Sequence, residues 1–256
     1  LARRGGEMLG IRDVSKRFGG LKALEHVSLE ISKEGIYGLI GPNGAGKTTL
    51  FNLITGLLPA SEGSITFQGN ELTRLRPHQI ARLGIARTFQ NIRLFPTMTV
   101  LENVLVAQNI RTRSGVSSLV PVNGRTEKAL RQEAEHLLQR MGLWEKRHEA
   151  STSLAYGEQR RLEIARALAL QPSLLLLDEP AAGMNEAETE DLLERIQELR
   201  EMGKTVFLIE HDMNLVMGIC DHIYVLNFGR LIASGRPEEI QSNEEVIEAY
   251  LGRDEG

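Results

Sequence analysis

The chain has 256 residues, of which 41% are hydrophobic, and a formal net charge of −4. That is enough apolar material for one large or two small domains, and no apolar run approaches the ~18 residues needed to cross a bilayer. Thirty basic side chains are spread among 34 acidic ones, so nothing favours a general polyanion binder, and no nucleic-acid partner is expected.

Residues 1–7 lack the apolar segment of a secretory signal, and Met8 is a candidate start of the folded part. Met8 to Phe18 and Leu21 to Ile31 alternate apolar residues around a Gly19-Gly20 turn and are predicted strands. Ile36 to Ile40 is a short apolar run that suits a strand buried on both faces. A Gly-rich loop follows, then a helix from about Lys47 to Gly56. Ser64 to Gln68 and Ile85 to Phe89 are further predicted strands.

From Asn91 to about Thr152 the pattern turns helical. Thr99 to Ala107 is a predicted helix, and Arg111 to Arg125 is a predicted loop. Thr126 to Met141 is amphipathic, with Leu130, Ala134, Leu137, Leu138 and Met141 on one face and Gly142 as a stop. The α/β rhythm then resumes: helices from Glu158 to Leu170 and Glu186 to Glu201, strands from Leu174 to Leu177 and Thr205 to Ile209. Cys220, the only cysteine, can form no internal disulfide and fits a reducing compartment. Strands at Ile223 to Leu226 and Arg230 to Ser234 and two short helices complete an α/β fold with a helical insert.

Gly41-Pro42-Asn43-Gly44-Ala45-Gly46-Lys47-Thr48 matches G-x-x-x-x-G-K-[ST], and it sits between a strand and a helix as a phosphate loop must. Its glycines let the backbone curl around an anion, and its N–H groups face the phosphates of ATP. Lys47 is expected to reach the β- and γ-phosphates, Thr48 to give its hydroxyl to Mg²⁺, and Thr49 to add a phosphate contact. Asp178 and Glu179 follow four leucines, at the end of a strand where α/β sheets place their ligands. Asp178 suits Mg²⁺, directly or through water; Glu179 suits the base for the attacking water. His211, past the end of the next strand, suits a hydrogen bond to the γ-phosphate. Gln90 is placed to touch Mg²⁺ or water while linking the nucleotide to the insert. Phe18 suits stacking on adenine, with an ordinary core position as the alternative.

These segments, with Leu154-Ala155-Tyr156-Gly157-Glu158-Gln159 before a helix, resemble the ATP-binding cassette family from about Met8 to Leu251. Ala86 to Phe95, Met98 to Val104, Leu154 to Arg166, Asp178 to Asn185, Ile209 to Met213 and the ending Ala249-Tyr250-Leu251-Gly252 are similar to the ATPases of branched-chain amino-acid importers. The resemblance implies a P-loop NTPase core, a mixed sheet flanked by helices, with an antiparallel β subdomain. It implies one domain over 8–252, with the α/β core and β subdomain in 8–90 and 153–252 and the helical subdomain in 91–152. It also implies that two cassettes meet head to tail, each ATP lying between one chain's phosphate loop and the other's residues 154–159. The implied partners are a second cassette ATPase, integral membrane permease subunits and, indirectly, a solute-binding protein. The implied place is the cytoplasmic face of the cell membrane.

Two positions depart from the general family pattern. Ala155 stands where a serine hydroxyl is usual, and Asn185 where an aspartate is usual. Another cargo for the same kind of ATPase (amides, other amino acids or exported lipopolysaccharide), a soluble cassette acting on DNA or ribosomes, and a non-hydrolysing regulatory cassette are the alternatives. The short insert argues against the soluble class, and Glu179 with His211 against the non-hydrolysing one.

Overall fold

The computed structural model describes residues 7–32, 34–112 and 124–251. Strands β1 (Glu7–Phe18), β2 (Leu21–Ser32), β4 (Glu62–Phe67) and β5 (Asn70–Glu71) form an antiparallel sheet in the order β2-β1-β4-β5. A second sheet of six strands runs β10-β9-β3-β8-β7-β6. Its members are β3 (Ile36–Ile40), β6 (Ile85–Arg87), β7 (Leu174–Asp178), β8 (Thr205–Ile209), β9 (His222–Asn227) and β10 (Arg230–Gly235). All neighbours are parallel except β9 and β10, which form a hairpin.

Side-chain alternation along β7 divides the core in two. Leu175 and Leu177 face helices α3 (Val100–Thr112), α4 (Gly124–Arg140), α5 (Tyr156–Leu168) and α6 (Glu186–Glu201). Leu174 and Leu176 face helix α1 (Lys47–Ile54) and the antiparallel sheet. All four leucines are fully buried, each contributing on the order of 1.5–3 kcal/mol of transfer free energy. On the α1 side, Phe51 packs on Phe207 with ring centroids 5.1 Å apart.

Parallel pairing levels the strand ends. Leu39 of β3 and Asp178 of β7 both lie opposite Ile209 of β8. Ile40, Glu179 and Glu210 are therefore level, and Gly41 leaves the sheet one residue beyond them.

The predicted face of α4 is observed: Leu130, Ala134, Leu137, Leu138 and Met141 are all buried. Gly142 ends the turn after it at φ 64, and a Cβ there would stand 2.8 Å from the Arg195 guanidinium. Several predicted boundaries are corrected. Helix α3 extends to Thr112 and α4 begins at Gly124, so both ends of the predicted 111–125 loop are helical, and its middle lies outside the described residues. Strand β6 stops at Arg87, although the Thr88 N–H still bonds the Leu176 carbonyl at 3.0 Å. Helix α5 starts at Tyr156 and not near Glu158. Ala155 is extended there, and the Glu158 carboxylate turns back to accept its N–H at 3.1 Å. The sequence reading missed α2 (Pro77–Leu83) and α7 (Met213–Ile219), each of seven residues and too short for a clear helical period. Helices α8 (Pro237–Gln241) and α9 (Glu244–Leu251) are the two expected at the end.

Candidate functional site

The loop between β3 and α1 is held by close main-chain contacts. Gly41 has φ 145, and a Cβ on it would lie 2.0 Å from the Leu226 carbonyl oxygen. Gly46 has φ 107 and backs onto the Ala23 carbonyl and the Leu24 side chain, each 2.7 Å from its would-be Cβ. A larger residue at either position would force the loop off β9 or β2. The loop closes with an Ala45 N–H to Pro42 carbonyl bond of 3.1 Å and is tied to the β9–β10 turn by Gly229 N–H to the Ala45 carbonyl at 3.0 Å. Buried Lys47 curls over it, its ammonium donating to the carbonyls of Gly41 at 2.5 Å and Pro42 at 3.1 Å.

In front of the loop lies a cleft of about 340 Å³, lined by residues 43–49, the Phe18–Ala23 turn, Glu179 and His211. Thr48 and Thr49 line it from the start of α1. The Phe18 ring forms part of its wall, is 45% exposed, and carries the Lys16 ammonium 5.0 Å from its centroid. That is an open apolar face beside the phosphate loop, unlike a core phenylalanine.

Two predicted residues converge on the carboxylate of a third. Glu179 Oε1 is 2.7 Å from His211 Nε2, and Oε2 accepts from Gln90 Nε2 at 2.8 Å. The turn that brings Glu179 there has φ 48, a conformation costly for a non-glycine residue, and its N–H is anchored to the Ile209 carbonyl at 3.0 Å. Beneath it, buried Glu210 accepts from the N–H groups of Ala181 at 2.9 Å and His211 at 3.2 Å. Burial pushes the Glu210 carboxyl above the usual carboxylate range, those two bonds oppose the rise, and the Glu179 charge adds to it.

Asp178 does not line the cleft. Its Oδ2 accepts from Arg87 Nη2 at 2.6 Å, and both side chains are buried. The same guanidinium donates to Asn52 Oδ1 at 2.8 Å and Thr55 Oγ1 at 3.3 Å on α1. Arg87 therefore ties the strand that ends at Asp178 to the phosphate-loop helix.

Residues 154–159 are not brought to this cleft. Leu154 is buried, Gln159 Nε2 donates to its carbonyl at 2.9 Å, and Ala155 stands at the N-cap with no side-chain acceptor. Tyr156 is exposed, and Gly157 packs against Glu188, whose Oε1 would be 3.0 Å from a Cβ. The N–H groups of the first turn have no carbonyl within the helix to meet. Asn185, the other departure, caps α6: its Oδ1 accepts the Glu188 N–H at 3.0 Å, and Glu188 Oε2 accepts its N–H at 3.1 Å. Aspartate and asparagine cap about equally well, so this departure costs the helix nothing.

A second, larger groove of about 740 Å³ opens between α2, α3 and α5, with Phe89, Phe95, Arg111 and Arg166 among its walls. Phe95 is 39% exposed, and Arg166 stacks over it 5.0 Å from the ring centre. Leu94, next to it in the chain, is partly buried against the core.

Arg87, Arg160 and Asn103 are structural parts of this region that the sequence reading missed. Asn103 is fully buried; its Oδ1 accepts the Phe95 N–H at 2.9 Å, and its Nδ2 donates to the Thr99 carbonyl at 3.0 Å. Arg160 and Glu163 gave a readable signal: opposite charges three apart on the stripe that also carries Ile164 and Leu168.

A family profile described as ABC transporter matches residues 24–182. The chain belongs to the ATP-binding cassette transporter family. A second profile, described as Branched-chain amino acid ATP-binding cassette transporter, matches residues 230–256 of the cassette. The High-affinity branched-chain amino acid transport ATP-binding protein LivG of Salmonella typhimurium is 50% identical over 249 residues, covering 96% of this cassette and 98% of that protein. BraF of Pseudomonas aeruginosa, with the same description, is 48% identical over 250 residues at the same coverage. Among solved structures, the ADP conformation of MJ1267, an ATP-binding cassette of an ABC transporter, superposes with a TM-score of 0.85 at 34% identity, covering 96% of this cassette and 99% of that chain. A dimeric post-hydrolysis state of the cassette MJ0796 bound to ADP and Pi gives 0.76 at 27% identity, covering 90% and 99%. The cassette is an ATPase, and among its described residues no helix is long and apolar enough to cross a membrane.

Proposed function

We propose that this cassette hydrolyses ATP with Mg²⁺ to drive an importer of branched-chain amino acids. The observation that carries the catalytic part is the Glu179 carboxylate at the cleft mouth, held by Gln90 on one oxygen and His211 on the other. The cargo rests on relatives whose names specify it, at about 50% identity over nearly the whole chain.

The loop N–H groups and Lys47 hold the phosphates, and Phe18 takes the adenine. A water between Glu179 and the γ-phosphorus gives its proton to the carboxylate as its oxygen bonds phosphorus. The bond to the β–γ bridging oxygen breaks, and ADP and phosphate leave. His211 and Gln90 orient the base. The donor set suits Mg²⁺, which favours oxygen ligands. The Thr48 hydroxyl and Gln90 Oε1 (its amide nitrogen being on Glu179) would hold the ion, and Asp178, set back from the cleft with Oδ2 taken by Arg87, would reach it from Oδ1 through water; the ion would neutralise phosphate charge when bound.

A second cassette supplies residues 154–159 to each ATP, and the groove beside Phe95 receives a permease segment at the cytoplasmic face of the membrane. A solute-binding protein delivers the cargo to the permeases. The test is reconstitution in vesicles with the permeases, the second cassette and the binding protein, followed by uptake of labelled leucine. ATP-dependent uptake that Glu179→Gln abolishes is the expected result. ATP hydrolysis without uptake of leucine, isoleucine or valine would move the cargo elsewhere.

A further inference from the structure

Helix α5 grips residues 89–93, a stretch with no helix or strand of its own. The Arg160 guanidinium, 0% exposed, donates from Nη1 to the Phe89 carbonyl and from Nη2 to the Gln90 carbonyl, each at 2.6 Å. Glu163 Oε2 balances it at 2.9 Å from Nη1, and Glu163 Oε1 accepts the Arg93 N–H at 3.2 Å. Arg166, on the next turn of α5, donates to the Arg93 carbonyl. Both ends of the segment thus hang on one helix, the helix whose first residue is Tyr156. Arg160 Nη2 also reaches the Tyr156 hydroxyl at 3.4 Å. At the far side of the segment, the Gln90 side chain bonds Glu179 at 2.8 Å.

We infer that Arg160 is a positioning residue for hydrolysis. It fixes the Gln90 main chain so that the Gln90 amide meets Glu179, and the attitude of the base follows the tilt of α5. This rests on the reading of Glu179 as the base. The reason lies in what the guanidinium bonds. A buried arginine needing only charge balance would be satisfied by Glu163. This one spreads its fork over two successive carbonyls, one of them belonging to the residue that touches the base. A lysine keeps the charge but cannot span two carbonyls and a carboxylate with a planar fork. Because α5 begins in residues 154–159, whatever presses on those residues from a partner is transmitted to Glu179 by a rigid side chain.

The test uses the full-length chain and compares ATP turnover, ATP affinity and thermal unfolding for wild type, Arg160→Lys, Gln90→Ala, their double variant and Glu179→Gln. Arg160→Lys should lower kcat by about tenfold or more, the scale of a small misplacement at a reacting centre, with ATP affinity nearly unchanged. In the Gln90→Ala background the same change should cost no more than about twofold, because its effect passes through Gln90. Wild-type turnover in Arg160→Lys, or losses that multiply in the double variant, would overturn the inference. Should Arg160→Lys not fold, Glu163→Gln keeps the acceptor's shape, removes the charge that holds Arg160, and is judged by the same two criteria. If Glu179→Gln itself keeps full turnover, the base assignment has failed, which is a different result.

Discussion

Arg87 and Asp178 form a buried ion pair at 2.6 Å, one residue before the Glu179 carboxylate that His211 and Gln90 hold. Neither charge is reached freely by water, so each depends on the other.

Removing one partner should therefore cost far more than removing both. Arg87→Met leaves a buried carboxylate unpaired and should destabilise the fold by about 3–5 kcal/mol. The double variant with Asp178→Asn should recover a large part of that loss. Denaturant unfolding of the two proteins checks this, and equal losses would show that the pair contributes no coupling.

Lys47→Ala removes a charged donor at the phosphate loop. ATP affinity should fall by about 1.5–3 kcal/mol, or roughly ten- to a hundredfold. Titration with a fluorescent ATP analogue measures it, and unaltered affinity would contradict the loop assignment.

Glu179→Gln keeps the shape of the base but not its proton affinity. One of its two partners, Gln90 or His211, must then face an amide nitrogen where it faced an oxygen. Binding should persist while hydrolysis falls by about 10²–10⁴-fold. Rapid-quench measurement of phosphate release at saturating ATP reads that difference directly.

Ala155→Ser separates two effects of the unusual residue. As an N-cap of α5, serine should stabilise the chain by about 0.5–2 kcal/mol even with no partner present. It should also strengthen ATP-dependent pairing of cassettes. Thermal unfolding of the lone chain detects the first, and sedimentation velocity with ATP detects the second. A gain in unfolding temperature without tighter pairing would confine Ala155 to a capping role.

Glu25 supplies an acid-side prediction. Hydrogen bonds from Lys22 at 2.6 Å and Arg230 at 2.8 Å hold its carboxyl down at about 2, against an ordinary 4.5. A depressed carboxyl stabilises the fold fully above its unfolded value and loses that stabilisation as the pH falls through its folded one. The wild type should thus exceed Glu25→Gln in unfolding temperature near neutrality, and the gap should close between pH 4.5 and about 2. A gap that stays constant across that range would contradict the pairing.

The parts of the site legible in the sequence are those bound to local pattern. Gly41 to Gly46 form a loop whose spacing, between a strand and the helix that opens at Lys47, marks an anion cradle, and the leucines before Asp178 specify a buried strand. Glu179 and His211 could be placed because each follows an apolar strand. What could not be read were the partners that tertiary structure supplies. Arg87 finds Asp178 at a separation of 91 residues, and Arg160 finds Phe89 across 71. No local period announces such pairs. Helices α2 and α7 escaped for the opposite reason, being too short for any period to emerge.

The level ends of β3, β7 and β8 restrict how this cassette can change length. One residue added within β7 would carry Glu179 about 3.3 Å along the strand and turn its side chain to the opposite face, away from His211 and Gln90. Insertions should be tolerated at the opposite ends of the strands, where α6 returns to β8 through residues 202–204, since slack there moves no catalytic atom. The two rims of one sheet are thus held to different tolerances: one is a fixed gauge, the other free to drift.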